Sequence, residues 1–328
     1  MKSLNILRAL SIVLVCIAHI CLQLGFGGLG RYLGYMFVDV FFLLSAFLLG
    51  LKYGGQPIGL PFLKKRYLRL SVIYYPFLLI TIVALFCLGY HVEFKSILLH
   101  LTYTNYLANN HLFGTAFGHL WYLSMQMVCY VMIVLLCGKY LYAFSKKIVC
   151  KKASLTALTL LAFVGGYLLI HLGLPNRVCV VLLLYYVVYL KADFILKSFK
   201  KVSKTVCWIF FLVSNLLTLL LFLYWDLDGK LLIRDWLVVI TSFSWLMMFL
   251  KPIKVIFPKL LNFLSMISFE LYLVHHPFVF GELSWIHQDD SRPWMTVIEI
   301  VLTMSVVVCL SWLLHHIGKL TSGMIVKK

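Results

Sequence analysis

Long apolar segments recur along the whole chain, and each is about as long as a helix that crosses a lipid bilayer. A helix of about 20 residues spans the hydrocarbon core, which is about 30 Å thick. Because lipid offers the backbone no hydrogen-bond partners, the segments predict an all-α polytopic membrane protein with about ten transmembrane helices. We expect a single domain, residues 1–328. The segments are 3–24, 34–53, 67–90, 119–141, 153–173, 177–193, 205–225, 234–250, 262–282 and 294–318.

The basic residues indicate how these helices are oriented. Most of the 29 lysines and arginines lie in alternate loops or close to the two ends of the chain. Because cytoplasmic loops of membrane proteins are enriched in lysine and arginine, both termini are predicted to be cytoplasmic, in a bacterial cytoplasmic membrane. The same distribution accounts for the formal net charge of +18 without a nucleic acid partner. The intervening loops hold only Arg31, Lys95, Arg177, Lys230, Arg234 and Arg292.

The first apolar segment contains LRALSIVLVCIAHI, which carries Arg8 near one end and His19 near the other. Ionisable residues are costly within a bilayer and usually mark a functional site. At about 100° and about 1.5 Å per residue, the two lie within about 20° of one helix face and about 16 Å apart along the axis. One stripe of the helix therefore presents a fixed cation near the cytoplasm and a proton carrier in the outer half.

The second segment runs back toward the cytoplasm and carries Asp39 close to its outer end. His19 lies similarly close to the outer end of the first segment, so we expect the two side chains to lie at matching depth. An aspartate there would fix the tautomer of the imidazole and stabilise its protonated form. The alternative is that Asp39 only bonds a neighbouring helix.

A basic cluster in the stretch FLKKRYLRL begins the third segment on the cytoplasmic side. Arg66 and Arg69 are three residues apart and share a helix face, so they are placed to hold the phosphates of a cytoplasmic cosubstrate. Orientation in the membrane and contact with anionic lipid headgroups would explain the same residues without a ligand.

Two later stretches also hold polar residues at membrane depth. HLWYLSMQMVCY contains His119, Trp121 and Gln126, of which the first two would also suit the membrane interface. ISFELYLVHHPF contains His275 beside a second histidine and a glutamate, and packing alone does not readily explain them. The nine cysteines form no CxxC pair and lie mostly in apolar segments, so neither a disulfide framework nor a metal site is predicted.

Five stretches in this order resemble the membrane acyltransferase-3 family. RALSIVLVCIAH is similar to its Arg-Ala-Leu…His first helix, and VDVFFLLSAFLLG to its Val-Asp-Val-Phe-Phe segment. FLKKRYLRLSVIYY resembles the family's arginine-rich motif. HLWYLSMQMVCY and ISFELYLVHHP resemble its His-x-Trp and Leu-x-His-x-Pro motifs. Several positions depart from the family pattern. Gln126 stands where glutamate is frequent, Ala46 where glycine is usual, and Lys65 where the first arginine of the basic pair is expected, and Met127 and Val128 replace further polar positions.

The resemblance implies transfer of an acyl group, usually acetyl, from acetyl-coenzyme A to a hydroxyl of an extracytoplasmic glycan or lipid-linked acceptor. Acyl-coenzyme A would be a cosubstrate, and no tightly bound cofactor is expected. In the terms of the family, His19 resembles the catalytic histidine and Arg8 its paired arginine. Asp39 is added to the catalytic group because of its expected depth beside His19. The remaining site residues divide into a donor group and an acceptor group. Lys65, Arg66 and Arg69 would bind the donor, and His119, Trp121, Gln126 and His275 the acceptor.

Two other functions fit the same sequence. A transporter or flippase of glycan precursors also has about ten helices and buried charges, but it is expected to show broken helices and internal symmetry, which the sequence does not indicate. An acyltransferase relative that has lost activity would retain the motifs, and Gln126 is consistent with that alternative.

Overall fold

The computed structural model describes residues 2–172, 177–225, 231–252, 255–288 and 291–326, and these ranges form helices and connecting turns, with no strand. The predicted all-α class is thereby confirmed. A short 3-10 turn, Gly118–Leu120, precedes α5. The helices are α1 Lys2–Gln23, α2 Gly27–Tyr53, α3 Leu60–Cys87, α4 Phe94–Leu101, α5 Trp121–Leu136, α6 Tyr142–Cys150, α7 Lys152–His171, α8 Arg177–Lys201, α9 Lys204–Tyr224, α10 Leu231–Phe249, α11 Pro258–Met266, α12 Ser268–Val279 and α13 Pro293–Val326.

Within the described ranges, seven helices are long and apolar enough to cross a membrane. They belong to α1, α2, α3, α5, α8, α9 and α13, and all seven coincide with predicted segments. Thr156–His171, within α7, is apolar but shorter. The chain is therefore a multi-pass membrane protein, and the count of about ten spans stays a prediction.

The predicted segment 262–282 is wrong as a single helix, because it is divided at Ile267 into α11 and α12. The following helix, α12, is only 12 residues long. Pro277 lies in its last turn, and a proline cannot donate the backbone hydrogen bond that would continue the helix. The chain becomes extended at Phe280. Two consecutive histidines therefore lie at the end of a short helix inside the bundle.

The centre of the bundle is α2, which packs against α1, α8, α9 and α10. Much of its length is buried, including the large side chains of Phe37, Phe42 and Phe47. Close approach to α8 depends on Gly50, because a methyl group there would overlap the carbonyl oxygen of Tyr189 and lie 2.7 Å from Cβ of Ala192. The central helix thus fixes the positions of the helices around it.

We predict that Gly50→Ala separates α2 from α8 and destabilises the protein by about 1–3 kcal/mol, the usual cost of overpacking a close contact. The matched control is Gly55→Ala, because a methyl group at Gly55 meets nothing within 4 Å. Thermal unfolding of the detergent-purified protein, followed by circular dichroism, measures both. Equal unfolding temperatures for the two variants would contradict this packing.

Candidate active site

Four histidines from three parts of the chain form one cluster. His19 comes from α1, His119 from the 3-10 turn, and His275 and His276 from α12. The ring centroid of His19 lies 4.3 Å from that of His276 and 5.0 Å from that of His275. The rings of His119 and His276 are stacked at 4.4 Å. His119, His275 and His276 are buried, whereas His19 keeps part of its surface accessible.

The hydrogen bonds of the cluster determine the tautomer of His19. His275 Nδ1 lies 3.0 Å from the carbonyl oxygen of Leu271 and 2.9 Å from that of Tyr272, so this nitrogen carries the proton and Nε2 accepts. His19 Nδ1 lies 3.1 Å from His275 Nε2 and 3.0 Å from the carbonyl oxygen of Val15. With two acceptors beside it, His19 Nδ1 is the protonated nitrogen.

The other nitrogen of His19, Nε2, therefore carries the lone pair. It has no hydrogen-bond partner among the described residues and is not fully enclosed. A neutral imidazole with an accessible, unpartnered Nε2 is equipped to remove a proton. If it does so, the Nδ1–H group remains bonded to both acceptors, which stabilise the positive charge.

The predicted contact between Asp39 and His19 is wrong. The Asp39 carboxylate instead accepts a hydrogen bond from the buried guanidinium of Arg177 at the start of α8. Arg177 Nε also lies 3.7 Å from Asp235, which Arg234 contacts at 3.2 Å. Similar depth on two helices does not fix which way each side chain faces, and a guanidinium offers a carboxylate a stronger partner than a neutral imidazole does.

The predicted acceptor residues divide among three places. His119 belongs to the histidine cluster, where its Nε2–H group donates to the carbonyl oxygen of Leu273 at 3.1 Å. Trp121 lies beside the aspartate–arginine network, with its ring 5.5 Å from the guanidinium carbon of Arg177. Gln126 donates to the Tyr185 hydroxyl at 3.1 Å, and so links α5 to α8 rather than reaching the histidines. His275 lies in the cluster itself.

A cavity of about 690 Å³ opens on the side of the bundle that carries the basic motif. The predicted donor residues all line it: Lys65, Arg66 and Arg69, together with Arg8. Lys52 and Lys319 add further positive charge. Among the described residues that line the cavity, Glu270 is the one carboxylate, and His315 lies 2.7 Å from it. The cavity thus combines a mainly apolar wall with an excess of cations.

The four predicted basic residues differ in how they are held. Arg8 is partly buried and has no hydrogen-bond or ion-pair partner among the described residues. Arg66 is buried, and its guanidinium lies over the Phe62 ring at 5.5 Å and donates to the Tyr53 hydroxyl at 3.4 Å. Arg69 and Lys65 are exposed. Arg66 is therefore fixed in the wall and Arg8 is partly buried in it, while the other two reach solvent.

An aromatic layer connects the cavity to the histidine cluster. Tyr272, Tyr122 and Phe41 line the cavity, and the Tyr272 ring also lies 5.4 Å from His119 and 5.8 Å from His275. Its hydroxyl donates to the His119 carbonyl oxygen at 2.6 Å. Sequence reasoning missed Tyr272, although it lies three residues before His275, the spacing that places two side chains on one helix face.

A loop contact beyond α12 holds one wall of the cluster. The Glu282 carboxylate accepts hydrogen bonds from the backbone amides of Thr115 and Ala116, each at 3.0 Å, and the Ala116 carbonyl oxygen accepts from His276 Nδ1 at 2.8 Å. Burial disfavours the charged carboxylate, but these amide hydrogen bonds outweigh it and hold the pKa of Glu282 below its usual value. The carboxylate therefore stays ionised and keeps the segment before the 3-10 turn in place.

Within the described ranges, no group of three or more histidine, cysteine, aspartate or glutamate side chains is arranged to hold a metal ion. Five of the eight imidazole nitrogens in the cluster are tied to backbone carbonyls or to each other. The arrangement is suited to proton transfer between imidazoles and a bound molecule.

We predict that Arg177→Ala destabilises the protein by about 3–5 kcal/mol, because it leaves Asp39 buried without its counterion. The double variant Asp39→Asn/Arg177→Met is expected to recover much of this loss, since neither buried charge then remains. Thermal unfolding in detergent compares the three proteins. A double variant no more stable than the single one would show that the charge pair is not what holds α2 against α8.

One of the comparisons with known proteins identifies a family. The family model for the acyltransferase domain, Acyl_transf_3, matches residues 1–316. Searches of curated proteins and of solved structures found no match. The matched range includes all four clustered histidines and every described basic residue of the cavity except Lys319. Because this family model covers nearly the whole chain, the chain belongs to the acyltransferase-3 family of membrane acyltransferases.

Proposed function

We propose that the protein transfers an acyl group, most simply acetyl, from cytoplasmic acyl-coenzyme A to a hydroxyl of an extracytoplasmic glycan or lipid-linked acceptor. The observation that carries this proposal is the unpartnered Nε2 of His19, presented next to an aromatic layer whose other side borders a cation-rich cavity. The two sites match the two substrates of an acyl transfer. One suits an anionic donor, and the other supplies a base for a hydroxyl.

His19 acts as the general base in this mechanism. Its Nε2 removes the proton from the acceptor hydroxyl as the oxygen attacks the thioester carbonyl carbon. The carbon–oxygen bond forms, the carbon–sulfur bond breaks, and the departing thiolate takes the proton back from the imidazolium to give the free thiol. Throughout, the Nδ1–H group donates to the Val15 carbonyl oxygen and to His275 Nε2. His275 thus takes the orienting role that sequence reasoning assigned to Asp39.

The basic cavity binds the donor. Coenzyme A carries several phosphate charges, and the cavity offers Arg8, Lys65, Arg66 and Arg69 to them. Arg8 has no competing carboxylate partner among the described residues, so its charge is available to a ligand. The helix separation of about 16 Å between Arg8 and His19 suits an extended arm that carries the thioester from the phosphates to the base.

The orientation of the protein in the membrane follows from assigning the basic cavity to the cytoplasmic donor. Both termini lie in the cytoplasm of the cell, and the basic cavity faces the compartment where acyl-coenzyme A is made. About ten helices then cross a bacterial cytoplasmic membrane, with α11 and α12 together as one interrupted crossing. The histidine cluster lies in the outer half of the bundle, within reach of an acceptor outside the cell.

A carrier of glycan precursors is the second candidate, because the interruption at Ile267 is the kind of broken helix that transporters use at binding sites. Acyl transfer is the better account for two reasons. A carrier has no need of a base whose tautomer is fixed, and the family match concerns an acyltransferase domain.

We predict that His19→Ala lowers acyl transfer by about 10²–10⁴-fold, the usual contribution of a positioned general base. Coenzyme A binding is expected to be unchanged, because the cavity lies at Arg8, the other end of the α1 face that carries His19. The assay is acceptor acylation by the purified protein in liposomes with acetyl-coenzyme A, followed by mass spectrometry. The matched control is His316→Ala, an exposed histidine on α13. Full turnover in His19→Ala would remove this residue from the mechanism, and movement of a glycan without any ester would favour the carrier.

We predict that Arg66→Gln/Arg69→Gln weakens coenzyme A binding at least about tenfold, because each charge-assisted contact contributes about 1.5–3 kcal/mol. Isothermal titration with coenzyme A in detergent measures the affinity. The control is Lys146→Gln/Lys147→Gln, which removes the same charge from exposed positions outside the cavity. Equal affinity in the two double variants would show that the arginines serve only to orient the protein in the membrane.

A further inference from the structure

Two imidazoles of the cluster, those of His119 and His276, have no part in the mechanism above, and the free nitrogen of His119 is fully buried. His276 Nδ1 lies 2.8 Å from the Ala116 carbonyl oxygen, so Nδ1 carries the proton and Nε2 carries the lone pair. His276 Nε2 has no hydrogen-bond partner among the described residues. The residue is 3% exposed, but this nitrogen keeps accessible surface. Leaving an acceptor nitrogen of a nearly buried imidazole without a hydrogen-bond donor costs free energy.

The plane of the His276 ring is fixed by its neighbours. His119 stacks on it at 4.4 Å with an interplanar angle of 16°, and Phe280 meets it edge-on at 5.5 Å. The Ala116 carbonyl that holds its Nδ1 belongs to the segment that Glu282 anchors. His276 is therefore held in one orientation, and its Nε2 is free to accept a hydrogen bond, as that of His19 is.

The two rings that carry these accessible nitrogens are neighbours. The ring centroids of His19 and His276 are 4.3 Å apart, and both rings also contact Phe280, at 6.0 Å and 5.5 Å between centroids. A single hydroxyl has one proton and satisfies only one of the two acceptors. A molecule that satisfies both must bring two donors close together. An apolar face on the same molecule would pack against the Phe280 ring.

We infer that His276 is a specificity-determining residue that reads a second hydroxyl of the acceptor, next to the one that is acylated. This inference rests on the proposed function. The hydroxyl that loses its proton to His19 becomes the ester, while its neighbour donates to His276 Nε2 and stays unmodified. The acceptor is therefore a polyol with adjacent hydroxyls, as on a sugar ring, and a simple alcohol is a poor substrate.

The test uses two small acceptors that differ by one hydroxyl, cis-cyclohexane-1,2-diol and cyclohexanol. The full-length protein in liposomes with acetyl-coenzyme A is assayed for kcat/KM with each, by mass spectrometry of the ester. We expect the wild type to prefer the diol at least about tenfold, beyond the factor of about two for its two equivalent hydroxyls, because one hydrogen bond to a fixed acceptor is lost with the alcohol.

Two variants separate this role from a structural one. His276→Phe keeps the ring but has no acceptor, and its preference for the diol is expected to disappear. His276→Gln retains an amide donor for the Ala116 carbonyl oxygen and an amide oxygen as acceptor, so part of the preference should remain. His316→Phe, at an exposed position, should behave as the wild type does. A purely structural role would lower kcat/KM for both acceptors equally and leave their ratio unchanged.

The outcomes distinguish this inference from the function on which it rests. Equal use of the diol and the alcohol by the wild type would overturn the role of His276, even when a variant fails to fold. An unchanged preference in His276→Phe would overturn it as well, with acyl transfer still standing. If the wild type formed no ester and hydrolysed no acetyl-coenzyme A, that result would count against the proposed function itself.

Discussion

Polar groups inside a bilayer must find their partners within the protein, and this requirement arranges the functional part of the bundle. The Asp39 carboxylate is paired with Arg177, and Glu270 Oε1 lies within hydrogen-bond distance of His315 Nδ1. His275 uses two backbone carbonyls of its own helix and then offers its second nitrogen to His19. Each pairing removes one group from consideration as a reactive centre. Of the polar atoms left without partners, those that keep accessible surface, such as His19 Nε2 and His276 Nε2, are the ones available to substrates.

The groups that can meet a substrate lie at two levels of the bundle and have opposite chemistry. At one level are fixed cations around an apolar cavity, which suit an amphipathic anion. At the other are imidazole lone pairs, which suit hydroxyl protons. Tyr272 contacts both levels, so the layer that separates them is about one aromatic side chain thick. In the proposed mechanism, a thioester that reaches past this ring would move from a binding environment to a reactive one.

The sequence predicted the depth of each polar side chain in the bundle better than it predicted which residues that side chain contacts. Helical periodicity placed Arg8 and His19 on one stripe, and the structure puts the first at the cavity and the second in the histidine cluster. The spacing of Arg66 and Arg69 likewise placed both at one wall. The pairing of His19 with Asp39 failed, because depth in the membrane does not determine which way two helices face each other. The break at Ile267 also escaped notice, since neither glycine nor proline occupies that position.

The anchor that Glu282 provides has a consequence for how the protein responds to acid. A carboxylate whose pKa is lowered on folding contributes its stabilisation above its unfolded pKa and loses it only as the pH falls through the lower folded value. An ordinary glutamate titrates near about pH 4.3, whereas an ordinary imidazole titrates near about pH 6.5. The segment that holds Ala116 thus stays tied down throughout the range in which free histidines change charge. A decline of activity in mild acid would therefore report the chemistry of the imidazoles and not a loosened outer loop.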